Sequence, residues 1–193
     1  EMLRSLVGSE MCIRDSARCA YEQSDIDEIL FMPLGTPAYK DNSPIVSATD
    51  RCNMVKLAIK PFDYMSLSTI ETDRPGNTYT ADTLAQIYDS YKKIYFIIGA
   101  DSLLYIQDWY HPEYICSHCH LLCANRDNNS ASVLIDQKHF LADKYGAVID
   151  FIDVPELPYS STDIRKKVAM GLSVKEDVGE EVEEYIKSRK LYV

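Results

Sequence analysis

The sequence predicts an α/β fold, a Rossmann-like doubly wound parallel sheet. Three observations carry that expectation. Short apolar runs recur along the chain, helical patterns separate them, and two of the runs lead into helix-opening turns rich in glycine or hydroxyls.

In order, the strand candidates are Ile29–Met32, Met65–Leu67, Ile94–Ile98, His120–Ala124 and Val148–Ile152. Their near-continuous apolarity, without strict alternation, marks parallel strands covered on both faces. The helical pattern at 47–59 sets Met54, Val55, Ala58 and Ile59 on one side, with Ser47 as cap and Pro61 as terminator. Residues 80–91 carry Leu84, Ile87, Tyr88 and Tyr91 at spacings of three and four. Residues 133–144 and 178–189 are further amphipathic candidates, and the polar stretch Asn125–Ser130 reads as a surface loop. No internal repeat or low-complexity segment interrupts this alternation.

Composition bounds the function. With 193 residues, 46% of them hydrophobic, the chain suits one domain with a real core and not a disordered, collagen-like or disulfide-scaffold protein. Its net charge of −10 argues against nucleic-acid or anionic-membrane partners, which need clustered Lys and Arg. Phosphates must therefore be met by a few local groups. Six cysteines (Cys12, Cys19, Cys52, Cys116, Cys119, Cys123) are too sparse for a disulfide framework. The opening lacks the apolar core of a signal peptide, and no apolar run approaches the ~18 residues of a membrane span. A reducing cytoplasm is the expected location.

Five segments could carry chemistry. Tyr159-Ser160-Ser161-Thr162-Asp163-Ile164-Arg165 follows a strand and a loop bracketed by Pro155 and Pro158, then opens a helix. Hydroxyls and free amides at a helix start make an anion site, and Arg165 falls on the same turn as Thr162. The plainer alternative is an ordinary N-cap with a solvated Arg. Gly99 and Asp101 end a buried strand, where open α/β sheets bind ligands; Asp101 could accept from ribose hydroxyls or simply cap a helix. The turn Asp73–Thr80 offers amides and hydroxyls to a carboxylate or phosphate. Asp108-Trp109-Tyr110-His111 brings the single Trp, whose face suits either a flat heteroaromatic ring or the core. The cluster Cys116–Cys123 has zinc-ligand types, yet no second Cys/His pair follows at zinc-finger spacing, so buried thiols are the default.

Taken together, these segments resemble bacterial nicotinate-nucleotide adenylyltransferases of the nucleotidylyltransferase superfamily. The resemblance runs through Phe31–Lys40, Arg51–Ala58, Glu71–Leu84 (the family's E-x-x-R-x-G-x-S/T-Y-T-x-D-T-L), Ile97–Trp109, Ser160–Arg165 and the ending Glu184–Tyr192. It implies adenylyl transfer from ATP, with Mg²⁺, to nicotinate mononucleotide, giving deamido-NAD and pyrophosphate without a covalent intermediate. By position it implies that Ser160, Ser161, Thr162 and Arg165 hold the ATP phosphates, with Gly99 and Asp101 at the adenosine. It implies that Tyr79, Thr80, Trp109, Tyr110 and Lys40 receive the acceptor. No metal ligand is implied on the protein, and homo-oligomerisation is left open. Acceptors of related adenylyltransferases (nicotinamide mononucleotide, phosphopantetheine) and a non-catalytic nucleotide- or zinc-binding module are the alternatives.

The departures are as informative. The family begins with a strand and the loop G-x-F-D-P-x-H-x-G-H, whose histidines donate to phosphate oxygens. That pattern is absent from this sequence, and its first histidine is His111. Tyr39 stands where the family usually has His, and a phenol with a pKa of about 10 cannot replace an imidazolium. The expected organisation is thus a foreign or artefactual segment, 1–16, joined to a truncated nucleotidylyltransferase domain, 17–193. Its first, central strand would be missing or replaced in part by Leu3–Val7, and its activity would be very low for lack of the histidines.

Overall fold

In a computed structural model, the described residues are 6–37, 46–125, 131–155 and 161–193. They form seven strands: β1 (Ile29–Phe31), β2 (Thr36–Pro37), β3 (Met65–Leu67), β4 (Asn77–Thr78), β5 (Tyr95–Gly99), β6 (His120–Asn125) and β7 (Val148–Asp153). The α-helices are α1 (Leu6–Gln23), α2 (Ala48–Ile59), α3 (Thr80–Ile87), α4 (Ala100–Leu104), α5 (Pro112–His118), α6 (Ala131–Tyr145), α7 (Ser161–Ala169), α8 (Lys175–Val178) and α9 (Glu180–Arg189). The α/β class and the parallel pairing agree with expectation: β1 runs parallel to β3, and β6 lies between β5 and β7, parallel to both. None of the described helices is long and apolar enough to cross a membrane.

The chain divides into two compact units. The described residues of the first are 18–26, 78–125 and 131–155, built on β5–β6–β7. One sheet face sets Ile98, Leu121, Cys123 and Ile149 into a core with Leu103, Ile115, Leu134 and Leu141 from α4, α5 and α6. Leu122, Ala124 and Ile152 of the other face cluster with Cys19 and Ala20 of α1. Central β6 is therefore buried from Leu121 to Ala124, as its unbroken apolarity requires. β7 departs from that expectation: among the described residues it pairs with β6 alone, and it leaves Val148 and Phe151 exposed.

The second unit holds the described residues 6–17, 27–77 and 161–193, apart from 38–45. Met54 and Ala58 of α2 form a core with Ile164 and Val168 of α7, Val174, Val178 of α8, and Val182 and Ile186 of α9. Ser47 caps α2 as expected: the Asp50 amide donates to its Oγ at 3.1 Å, and that hydroxyl donates to Asp50 Oδ2 at 2.6 Å. Asp50 also accepts from the Tyr185 hydroxyl (2.8 Å) and Arg189 Nε (3.1 Å), which ties the start of α2 to α9. The Ser47 and Tyr185 hydroxyls hold the Asp50 carboxyl below the usual carboxylate range.

Three expectations about elements need correction. Leu6 and Val7 open a helix, not a substitute strand; residues 3–5 lie outside the described set. A helix closes its own backbone hydrogen bonds, whereas a strand needs a neighbour's ladder. The helix expected over 80–91 ends at Ile87 in a 3₁₀ turn, Tyr88–Ser90, and leaves Tyr88 and Tyr91 exposed. The helix expected over 178–189 breaks at Gly179, whose φ of +87° suits glycine and separates α8 from α9. The loop expected at Asn125–Ser130 falls outside the described residues, save that Asn125 ends β6.

Buried Glu183 braces the α8–α9 corner. It accepts from the Ser173 hydroxyl (2.7 Å), the Val174 amide (2.8 Å) and Lys187 Nζ (2.9 Å). The Ser173 hydroxyl, then Lys187 and the Val174 amide, hold its carboxyl down from 4.5 to about 2. A depressed carboxylate stabilises the fold fully above its unfolded pKa and loses that contribution as pH falls through the folded one. Glu183→Gln should cost about 1–3 kcal/mol at pH 7. In denaturant titrations the gap between wild type and variant should narrow between pH 4.5 and about 2. A gap constant over that range would show that the charge is not what braces the corner.

Candidate active site

The first unit carries an aromatic row beside the start of α3. Tyr79 is the N-cap residue of α3, in extended conformation, and its carbonyl accepts from the Thr83 amide (3.1 Å) and hydroxyl (3.3 Å). That double bond fixes the backbone from which the ring projects. The Tyr110 ring lies 4.5 Å from it, tilted by 35°. His111 meets the edge of Tyr110 at 4.1 Å. Its left-handed φ of +50° caps α5, and its Nδ1 lies 2.9 Å from Glu113 Oε1, holding that carboxyl below its usual range. Thr80 opens α3 directly after Tyr79.

Of the four acceptor residues in this unit, the fold thus brings Tyr79, Thr80 and Tyr110 together. Trp109 has a more structural setting, half-buried and edge-on to Phe96 with ring centres 6.3 Å apart, against the core of its unit. His111 and Glu113 were not singled out from sequence; the signal was an aromatic triplet running into Pro112, which starts a helix. Gly99 ends β5 and Asp101 sits exposed in the first turn of α4, at the carboxyl end of the strand. Gly99 has an ordinary φ of −78°, and an added Cβ would meet nothing within 4 Å.

In the second unit, Arg165 Nη2 donates to Thr162 Oγ1 at 3.2 Å on the first turn of α7, the pairing that the spacing predicts. Ser161 begins that helix, while Ser160, Tyr39 and Lys40 lie outside the described residues. Arg51, within one of the matching segments, is buried and donates Nη2 to the Gly35 carbonyl at 3.3 Å.

Burial pushes the Cys116 thiol up to about 11 and those of Cys119 and Cys123 to about 12, as expected of small apolar groups in a core. Cys119 Sγ donates to the Ile115 carbonyl at 3.0 Å, and His120 Nε2 lies 2.9 Å from Asp150. Among the described residues no three His, Cys, Asp or Glu side chains are grouped to hold a metal ion.

Residues 14–167 match the cytidylyltransferase-like family. A probable nicotinate-nucleotide adenylyltransferase of Lachnoclostridium phytofermentans is 36% identical over 179 residues, 92% of this chain and 90% of that one. One from Thermoanaerobacter sp. is 34% identical over 180 residues, 92% of this chain and 85% of that one. A structure of Plasmodium falciparum nicotinic acid mononucleotide adenylyltransferase complexed with NaAD superposes with a TM-score of 0.70. It covers 93% of this chain and 90% of that one, at 16% identity, which speaks for the fold. The chain belongs to the cytidylyltransferase-like family and, within it, to the nicotinate-nucleotide adenylyltransferases.

Proposed function

We propose that this chain transfers the adenylyl group of ATP to nicotinate mononucleotide, releasing pyrophosphate and deamido-NAD. An oxygen of the acceptor's 5′-phosphate attacks the α-phosphorus in line as the bond to pyrophosphate breaks, so catalysis is positioning and charge stabilisation. The observation that carries the acceptor assignment is the Tyr79–Tyr110 ring pair at the start of α3. Tilted aromatic faces accept a flat pyridine ring, and the free amides of the α3 N-terminus favour a carboxylate over a neutral amide. Trp109 stacks on the nicotinate, and Thr80 and Lys40 help to receive the acceptor.

For ATP, Gly99 and the exposed Asp101 carboxylate, at the carboxyl end of β5, suit an adenosine, with Asp101 accepting from ribose hydroxyls. Ser160, Ser161, Thr162 and Arg165 hold the phosphates through hydroxyls, the first amides of α7 and a planar guanidinium. Mg²⁺ would enter with the phosphates, as it usually does, and neutralise part of their charge; no protein cage for it is assigned. The reaction takes place in the cytoplasm.

We also propose that a chain of these 193 residues alone turns over slowly, because within them G-x-F-D-P-x-H-x-G-H is absent and no histidine precedes His111. Losing one positioned donor to developing negative charge costs roughly 10²–10³ in rate. Pyrophosphate release from ATP and nicotinate mononucleotide should therefore run at least about 10²- to 10³-fold below that of the Lachnoclostridium phytofermentans relative. Equal rates would overturn this part of the reading.

The acceptor assignment has its own test in binding, followed through the fluorescence of Trp109, the single Trp. Nicotinate mononucleotide should bind more tightly than nicotinamide mononucleotide, and phosphopantetheine should not quench. Tyr110→Ala should weaken nicotinate mononucleotide by about 3- to 10-fold, the worth of one aromatic contact, and leave ATP binding unchanged. Preference for the nicotinamide acceptor would move the assignment to a neighbouring activity.

A further inference from the structure

His111, between the aromatic row and α5, has a backbone conformation that its helix does not call for. Its φ of +50° and ψ of +58° are left-handed. Lys190 shares that conformation where α9 ends, an ordinary way to close a helix. His111 instead precedes a helix, where an extended residue is the rule and a hydroxyl, carboxylate or carboxamide side chain normally caps the first amides. Its own side chain makes no such cap. A residue with a Cβ is strained in the left-handed region, and such strain persists where the surroundings hold it. Two sets of bonds do so here. The His111 carbonyl accepts from the Tyr114 amide (3.1 Å) and the Ile115 amide (3.2 Å), which anchors its backbone to α5. Its Nδ1 lies 2.9 Å from Glu113 Oε1, and a carboxylate only accepts, so Nδ1 donates. Both side chains of that pair are more than half exposed, so the pair adds little to the stability of the fold.

We propose that His111 is a positioning residue for the acceptor: Glu113 fixes its imidazole, and the imidazole fixes the Tyr110 ring against Tyr79. The four residues form one chain of contacts inside the first unit. Glu113 orients the imidazole, which meets Tyr110 at 4.1 Å and 69°, and Tyr110 in turn lies 4.5 Å from Tyr79. The strained backbone is what brings the first two rings together. An extended chain points consecutive side chains to opposite faces, and a helix splays them apart. A left-handed residue lets the rings of 110 and 111 meet. Tyr110 needs that contact, because it is 47% exposed and core packing does not order it. A ligand that requires one rotamer of a free ring must supply the ordering itself, whereas a ring already held binds it more tightly. The role rests on the acceptor reading above, since the ring pair is what receives the nicotinate, and the test separates the two.

The experiment compares wild type with His111→Gly, Glu113→Ala, Tyr110→Ala and the double variant His111→Gly/Tyr110→Ala. Glycine suits the left-handed backbone, so His111→Gly removes the imidazole without adding strain. Melting temperatures of His111→Gly and Glu113→Ala should stay within about 2–4 °C of wild type, because an exposed pair carries little stability. Nicotinate mononucleotide, followed through Trp109 fluorescence, should bind about 3- to 10-fold more weakly to each, with ATP affinity unchanged. In the Tyr110→Ala background, His111→Gly should cost nothing further, since the imidazole acts through that ring. In NMR spectra of ligand-free protein, the cross-peak between the Tyr79 and Tyr110 rings should weaken in both His111→Gly and Glu113→Ala. Undiminished acceptor affinity in His111→Gly, or an equal further loss in the double variant, would overturn the proposal. So would a larger drop in melting temperature with both affinities lost, which would make His111 a brace of α5. If wild type does not bind nicotinate mononucleotide, the acceptor reading falls and the assigned role with it. The cross-peak still reports then: weakened in the variants, it upholds the grip of His111 on Tyr110, and unchanged, it ends that as well.

Discussion

The ladder from β5 through β6 to β7 constrains everything around it. Parallel strands cannot be joined by a tight turn, so each must leave the sheet, run back through a helix and re-enter from the same end. The helices this demands cover both faces of β6, which leaves no room for a polar side chain from Leu121 to Ala124. Chemistry is thereby pushed to the strand ends. At the carboxyl end of β5 the chain offers Gly99 and Asp101, and at the opposite end Tyr95 and His120 stack across neighbouring strands with Asp150 beside them. The same dryness explains the cysteines: a thiol packed in this core is a small apolar group whose proton is held by burial.

The second unit solves a different problem, how to fasten short helices that bury little surface each. It uses charges that are almost fully covered. Asp50 collects a hydroxyl, a phenol and a guanidinium from Ser47, Tyr185 and Arg189, and Glu183 collects a hydroxyl, an amide and an ammonium from Ser173, Val174 and Lys187. Removing a partner from such a knot strands a buried charge, so these residues define one arrangement of α2, α8 and α9 more sharply than apolar packing alone.

The elements most legible in the sequence are those whose local and tertiary preferences agree. Ser47 and Pro61 bound α2 because capping and chain breaking are local effects, and Thr162 meets Arg165 because a helical turn dictates it. Legibility fails where a long-range fact decides. Val148 and Phe151 read as buried until β7 turns out to lie at an edge, and Tyr88 and Tyr91 read as a core stripe although the chain tightens to a 3₁₀ turn. The Tyr79–Tyr110 pair lies thirty-one positions apart, and no periodicity signals it; only the resemblance to known adenylyltransferases put both rings in one role. The contact of Tyr110 with His111 is invisible for the same reason, since nothing in the sequence marks where the backbone turns left-handed.

Carboxylate partners are close at hand in a chain with a net charge of −10. Exposed cations here find carboxylates readily: Lys60 pairs with Glu181, Lys93 with Asp25, Lys175 with Glu180 and Lys138 with Asp150. Each such pair is weak, yet each lowers the positive potential that a phosphate would feel. In a chain this acidic, a phosphate meets favourable potential only at a few local groups, such as the first amides of α7 with Arg165 beside Thr162.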